Sequence, residues 1–516
     1  MSLPAAVGAR RPPLGHASVG ALAAVVAVVA LLPAGYVLAH ILGDAQTVVS
    51  LLDRPRVAVL LGNTVLLVTV GTAACVAVGT CAAWFVERTS IPLRPLWTVL
   101  MSAPLAVPAF VNSFGWFSLS PSFAGLDAAL LVTTLSYYPL VYLPVAAVLR
   151  GTDPALEEQA RSLGNGSWAT FRRVVLPQLR PAMAGGGLLV GLHLLAEFGA
   201  LQSLRFDTFT TAIYDQYQST FNGSAATALA GVLILLCLLL LGGELAVIGR
   251  YRVARVGGGA ARPPLRHRLG PVAVTAATLG LAGLAAAALG VPLGCVGYWL
   301  ATSASTEFPA ADLARAAGTS VTLGLLGAAV TTVVAAPVAW LSVRRPGRVS
   351  RLIERATYTG NSLPGIVVAL ALITIGLQAV PALYQTTPML LTAYAVLFMP
   401  RAVVSLRAAL AQCPPELDDI GRSLGVPHVL VLMRVTVPLV ARGIGAGATL
   451  VFLAVVTELT STLLLAPIGT RTLATGFWAN SSELHYGQAA PYALLMIVVS
   501  APAAYLLSRH AREVPG

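Results

Sequence analysis

"LGNTVLLVTVGTAACVAVGTCAAWFVERT", residues 61–89, is a run of apolar and small residues that meets no charge before Glu87. It exceeds the roughly 20 residues that a helix needs to cross a hydrocarbon core of about 30 Å. A similar run returns at residues 317–345, "AGTSVTLGLLGAAVTTVVAAPVAWLSVRR", where Gly318, Thr319 and Trp340 answer Gly62, Asn63 and Trp84. The chain therefore spans a membrane, and its membrane region is written twice.

The composition agrees. The 516 residues are 57% hydrophobic and only 10% charged, with a mean hydropathy of +0.81. In lipid every backbone polar group needs an internal partner, and apolar runs of this length meet that demand as helices. The expectation is an all-α polytopic membrane protein. Its first run, near residues 18–42, follows Arg10 and Arg11 but is too long for a signal-peptide core and lacks a cleavage site, so it reads as a spanning helix.

Twelve spans are expected, six per half: near 18–42, 59–86, 96–118, 126–149, 182–201 and 226–249, then 270–299, 317–343, 357–380, 388–409, 443–466 and 487–508. An even number per half gives parallel repeats about an axis along the membrane normal. This divides the chain into a tail (1–17), a first half (18–249), a Gly/Pro-broken linker (250–269), a second half (270–508) and a short tail (509–516). The net charge of +12 comes from arginine alone, since the chain has no lysine. With the N-terminus inside, only Arg54, Arg56, Arg205, Arg315 and Arg471 fall off the cytoplasmic side. That bias is a topology signal of the positive-inside kind and removes nucleic acid as the partner. The five cysteines are scattered without metal-ligand spacing.

Each half carries one charged interruption after its fourth span. The first loop, 154–182, opens "PALEEQARSLGNGSWATFRRVVLPQLRPA"; the second, 415–443, is "PELDDIGRSLGVPHVLVLMRVTVPLVARG". At a constant offset of 261, Glu157 matches Asp418, Glu158 Asp419, Ala160 Gly421, Arg161 Arg422, Gly164 Gly425 and Pro177 Pro438. Proline and acids in the first turn favour a helix start, and the glycine favours a sharp bend after it.

These loops resemble the EAA loop of ABC importer permeases: E-A-A, three residues, G, nine residues, I-x-L-P. The first half keeps Glu158-Gln159-Ala160, Gly164 and Val174-Val175-Leu176-Pro177; the second keeps the spacing but has Asp419-Ile420-Gly421 at the acid and both alanines. The resemblance implies a type I importer fold in which the loops dock on an ATP-binding subunit. It implies two copies of that ATPase, carrying ATP and Mg, and an extracytoplasmic solute-binding protein as partners in a bacterial cell membrane. The chain itself has no lysine with which to build a phosphate-binding Walker A loop. No cofactor, stable metal or catalytic group is expected in it, and "GIGAGA" at 443–448 reads as close helix packing.

Acids inside a bilayer cost about 2.5–3.5 kcal/mol at a helix centre and often mark function. Glu197 in "LLAEFGALQ" and Glu458 in "VVTELTSTLL" are again 261 apart. They read either as a pathway pair for cationic cargo or as carboxyls hydrogen-bonded between helices. The surrounding segments resemble those of fused ferric-iron permeases, which implies ferric iron as cargo. Asp207, Tyr214, Asp215 and Tyr217 are outer-face cargo candidates, because hard oxygen donors suit Fe(III); as interfacial residues they need no such role. Thiamine, polyamine, phosphonate and sulfate permeases share the architecture, and an ion-coupled secondary transporter is the alternative of another class.

Overall fold

The computed structural model describes residues 14–43, 45–152, 154–220, 222–248, 266–303, 308–414 and 416–513. The expected tail 1–17 and linker 250–269 lie mostly outside these, as do the last residues of the C-terminal tail. Among the described residues the structure is helical, with one isolated bridge between Thr89 and His267.

In the first half the helices Pro55–Arg88, Pro139–Gly151 and Leu176–Ala196 pack together; in the second, Ala310–Arg344, Thr387–Ala411 and Val437–Val456 do so. Glycine permits the approach. A methyl group added at Gly79 would stand 2.7 Å from the Tyr138 carbonyl oxygen, and one at Gly186 2.9 Å from Val141 Cα. Gly443 and Gly447, from the "GIGAGA" run, press on Ala409 and Ser405 in the same way. Without a hydrophobic drive between helices in lipid, this close packing is a main source of association.

The halves interlock. The Leu14–Gly43 helix of the first half packs on Ala310–Arg344, Arg348–Ser362 and Gly365–Ala379 of the second. Reciprocally, Val291–Thr302 packs on Ala109–Phe117, where a methyl at Gly115 would meet Pro292 Cα at 2.5 Å.

Nine described helices are long and apolar enough to span, or ten if Arg94–Ala106 with Ala109–Phe117 counts as one. The expected twelve is not reached, for physical reasons. The segment expected at 96–118 bends by 92° between Ala106 and Ala109. Its counterpart at 357–380 breaks at Leu363 and Pro364, leaving Gly365–Ala379 at 15 residues. Pro108 and Pro364 stand directly before the restarted helices, where a missing N–H costs nothing. The final segment is one helix, Tyr486–Glu513, with Pro491 and Pro502 inside it. The spans expected at 182–201 and 443–466 end early, at Ala196 and Val456.

The repeat extends to individual hydrogen bonds. Phe209 N–H donates to Thr64 Oγ1 (3.3 Å), and Leu473 N–H donates to Ser320 Oγ (2.8 Å). Thr208 with Thr211 and Thr472 with Thr475 form matching capping boxes.

Candidate coupling loops and translocation site

The first loop folds as the helix Pro154–Ser162, a turn and a second short helix, which continues through a π-turn at Phe171–Val175 into the span Leu176–Ala196. Gly164 adopts φ +83°, in the left-handed region that side chains disfavour. The Asn165 N–H then returns to the Ala160 carbonyl at 3.1 Å. The second loop repeats this with Gly425 at φ +71° and Val426 N–H to the Gly421 carbonyl at 3.0 Å. It too runs through a π-turn, Leu432–Thr436, into its span.

The two acids of the first loop face opposite ways. Glu157 is buried and ion-paired to Arg88, which is itself fully buried at the end of Pro55–Arg88. Glu158 and Arg161 are exposed, beside Leu163 and Trp168, which are 81% and 73% exposed. In the second loop Ile420, Leu424 and Met433 form the exposed apolar group; the side chains of Asp418, Asp419 and Arg422 lie outside the description. Pro177 is half-buried and Pro438 exposed, one residue into their spans.

The loss of Ala160's methyl at Gly421 has a local reason. A Cβ at Gly421 would stand 2.4 Å from Val431 Cγ2, so the two helices of this loop close more tightly than a side chain allows. The first loop is braced by charge. Glu87 pairs with Arg94 (3.0 Å) and Arg150 (3.6 Å), tying three helix ends together. His267, from the linker, exchanges backbone hydrogen bonds with Arg88 and Ser90, stacks on Trp84 (5.5 Å) and meets Arg161 Nη2 at 3.3 Å. Burial, then Arg161 and Arg88, push the His267 imidazole below its ordinary pKa.

Glu197 and Glu458 do not ride on continuous helices. Each sits where its span stops and a short helix restarts, Gly199–Ser203 or Thr460–Leu465. Each carboxylate caps that restart: Glu197 Oε1 accepts from Ala200 N–H (2.9 Å), and Glu458 Oε1 from Ser461 N–H (3.0 Å). The restarts of the two halves meet, since a methyl at Gly199 would lie 2.9 Å from Leu459 Cδ2.

Three neighbours are absent from the sequence reading. Tyr137 donates its hydroxyl to Glu197 Oε2, and its ring lies 5.4 Å from that of His193. Arg401, counted above as a cytoplasmic arginine, lies well inside Thr387–Ala411, with its guanidinium 5.2 Å from the Phe398 ring and acting on Glu458. The usable signal was misalignment: at offset 261, Tyr137 meets Phe398 and Leu140 meets Arg401.

The outer-face candidates share one region, around the helix Phe209–Gln218, but point to different partners. Tyr214 packs its ring on Phe198 at 4.6 Å, and Tyr217 engages Tyr384. Asp207 is exposed, its carbonyl bonded by Asn63. Burial and the nearby Asp207 raise the Asp215 carboxyl, while Arg56 opposes them. Among the described residues no group of three or more His, Cys, Asp or Glu could hold a metal ion.

The sequence is similar to those of known proteins. The family described as "Binding-protein-dependent transport system inner membrane component" matches twice, over residues 75–252 and 328–514. The Fe(3+)-transport system permease protein FbpB 2 of Haemophilus influenzae is 36% identical over 90% of this chain and 92% of its own. The ferric transport system permease protein FbpB of Actinobacillus pleuropneumoniae is 22% identical over 78% of this chain and 61% of its own. The molybdenum transport permease ModB of Escherichia coli is 29% identical over 34% of this chain and 86% of its own, the length of a single half. With two copies of the family's domain, a helical membrane body and paired loops of matched spacing, the chain belongs to the binding-protein-dependent transport system inner membrane components.

Proposed function

We propose that this chain is the permease of an ATP-driven importer that takes ferric iron from an extracytoplasmic binding protein. The observation that carries the cargo is the 36% identity, across both halves, with a permease named for Fe(3+) transport. The paired loops support the motor: each offers an exposed apolar group beside a rigid bend, a surface suited to a separate subunit. Two ATPase copies bind, one per loop, and supply ATP and Mg. Their closure draws the loops together, and the halves rock to alternate access at the restarts around Glu197 and Glu458. Both termini and both loops face the cytoplasm of a bacterial cell, a reading the arginine bias supports for the orientation.

The test is the composition of the complex purified from its own host through a tag on this chain. Two ATPase copies per chain are expected. One copy, or none with transport intact, contradicts the reading.

A further inference from the structure

The carboxylates that the repeat makes equivalent are not equally occupied. Glu197 has both oxygens engaged, Oε1 by Ala200 N–H at 2.9 Å and Oε2 by the Tyr137 hydroxyl, while its carbonyl accepts from Thr210 Oγ1 at 2.6 Å. Glu458 Oε1 accepts from Ser461 N–H and Oγ, both at 3.0 Å. Among the described residues no side-chain donor reaches Glu458 Oε2. At the offset of 261 the residue that answers Tyr137 is Phe398, which has no hydroxyl to give.

Two further substitutions open the second site. Gly365 stands where the first half has Ala109, and a methyl on it would approach Glu458 Oε1 to 2.9 Å. Arg401 stands where the first half has Leu140. Its guanidinium rests over the Phe398 ring at 5.2 Å and acts electrostatically on Glu458, yet it forms no ion pair among the described residues. Ionisable side chains inside a spanning segment are costly and often mark the path of a charge. A cation over an aromatic face is held by a modest attraction.

We propose that Glu458, with Arg401 as its resident counter-charge, is the carboxylate that a metal cation meets as it crosses the membrane, and that Glu197 is a structural cap. Cargo arriving at Glu458 Oε2 takes over the role of Arg401, which stays on Phe398. When the cargo leaves, Arg401 again balances the acid. This deepens the metal-import reading above and rests on it.

The experiment uses host cells in which the chromosomal copy is replaced by variants, supplied with radioactive ferric citrate. ATPase that co-purifies with the tagged chain reports assembly. Glu458→Gln keeps an oxygen for the Ser461 cap, so assembly persists while uptake falls about tenfold or more. Glu197→Gln, which also keeps its cap, stays within about threefold of the parent. Phe398→Tyr supplies Glu458 with the hydroxyl that occupies Glu197; it lowers uptake although every charge remains, and it serves if Glu458→Gln fails to assemble. Equal losses in the two glutamine variants, or unchanged uptake in both Glu458→Gln and Phe398→Tyr, overturn the proposal. The parent cells test the cargo reading separately: if they move molybdate or sulfate and no iron, that reading falls. The variants are then compared on that ion, and loss in Arg401→Leu with Glu458→Gln unaffected identifies an anion path and overturns this proposal as well.

Discussion

The two coupling loops share a backbone and differ where Ala160 of the first is answered by Gly421 of the second. The first is fastened by charge: Glu157 on buried Arg88, Glu87 between Arg94 and Arg150, and the linker's His267 against Arg161 and Trp84. In the second, Gly421 is pressed on Val431, and Arg344 donates to the Cys413 carbonyl at 3.0 Å. Equal spacing therefore fixes the shape of a socket without fixing its chemistry. The charge contacts of the first loop depend on ionisation and on the linker, and the Gly421–Val431 contact of the second depends on volume.

The comparison is broken most severely at Glu157. Removing it by Glu157→Ala leaves Arg88 buried without its partner, a loss of about 3–5 kcal/mol. The first loop should detach, with a lower melting temperature of the purified chain and less bound ATPase. The double variant Glu157→Leu/Arg88→Met, which removes both charges, should recover most of the stability. If Glu157→Ala melts with the parent, the first loop is not held by charge.

Volume is the corresponding weakness of the second loop. Gly421→Ala overpacks Val431 and should cost about 1–3 kcal/mol, and Gly421→Ala/Val431→Ala should restore it. Ala160→Gly in the first loop should cost only about 0.5–1 kcal/mol. Equal melting of Gly421→Ala and Ala160→Gly would contradict a packing difference between the two positions.

The smallest effect expected is on pH. His267 is docked with its pKa pushed down, so the docked form favours the neutral ring. An undocked histidine titrates near about 6.5, and between that value and the lowered docked one the free linker binds the proton more readily. Docking is therefore at full strength above the ordinary imidazole pKa and weakens as pH falls below it. Amide exchange at residues 266–269 should speed up on acidification, and His267→Phe, which keeps the ring on Trp84, should abolish that dependence. Exchange that slows on acidification, once corrected for intrinsic rates, contradicts the sign.

Much of this was legible because a repeat is a comparison built into one chain. The offset of 261 located both loops, both bends and both acids before any coordinate was known. What stayed hidden was whatever apolarity does not report. A break at Glu197 or Pro364 looks like uninterrupted span, because the flanking residues remain hydrophobic on either side of the bend. Glu157 and Glu158 look alike in sequence, and only the helix phase turns one to Arg88 and the other outward. Arg401 falls inside the expected span 388–409 yet was counted with the cytoplasmic arginines, because a charge count by segment does not ask how deep each side chain lies. The departures from the repeat, Tyr137 against Phe398 and Ala109 against Gly365, carried the information about function that the matches did not.

The account's central claim is that a separate ATPase, engaged through two loops, drives iron through this chain. Membrane vesicles holding the assembled complex, with the binding protein and radioactive Fe(III) on the outer face, test it most directly. Iron should accumulate only when ATP is supplied to the loop side, and should ignore imposed proton or sodium gradients. Accumulation that follows such a gradient without ATP would contradict the claim and make the chain an ion-coupled transporter.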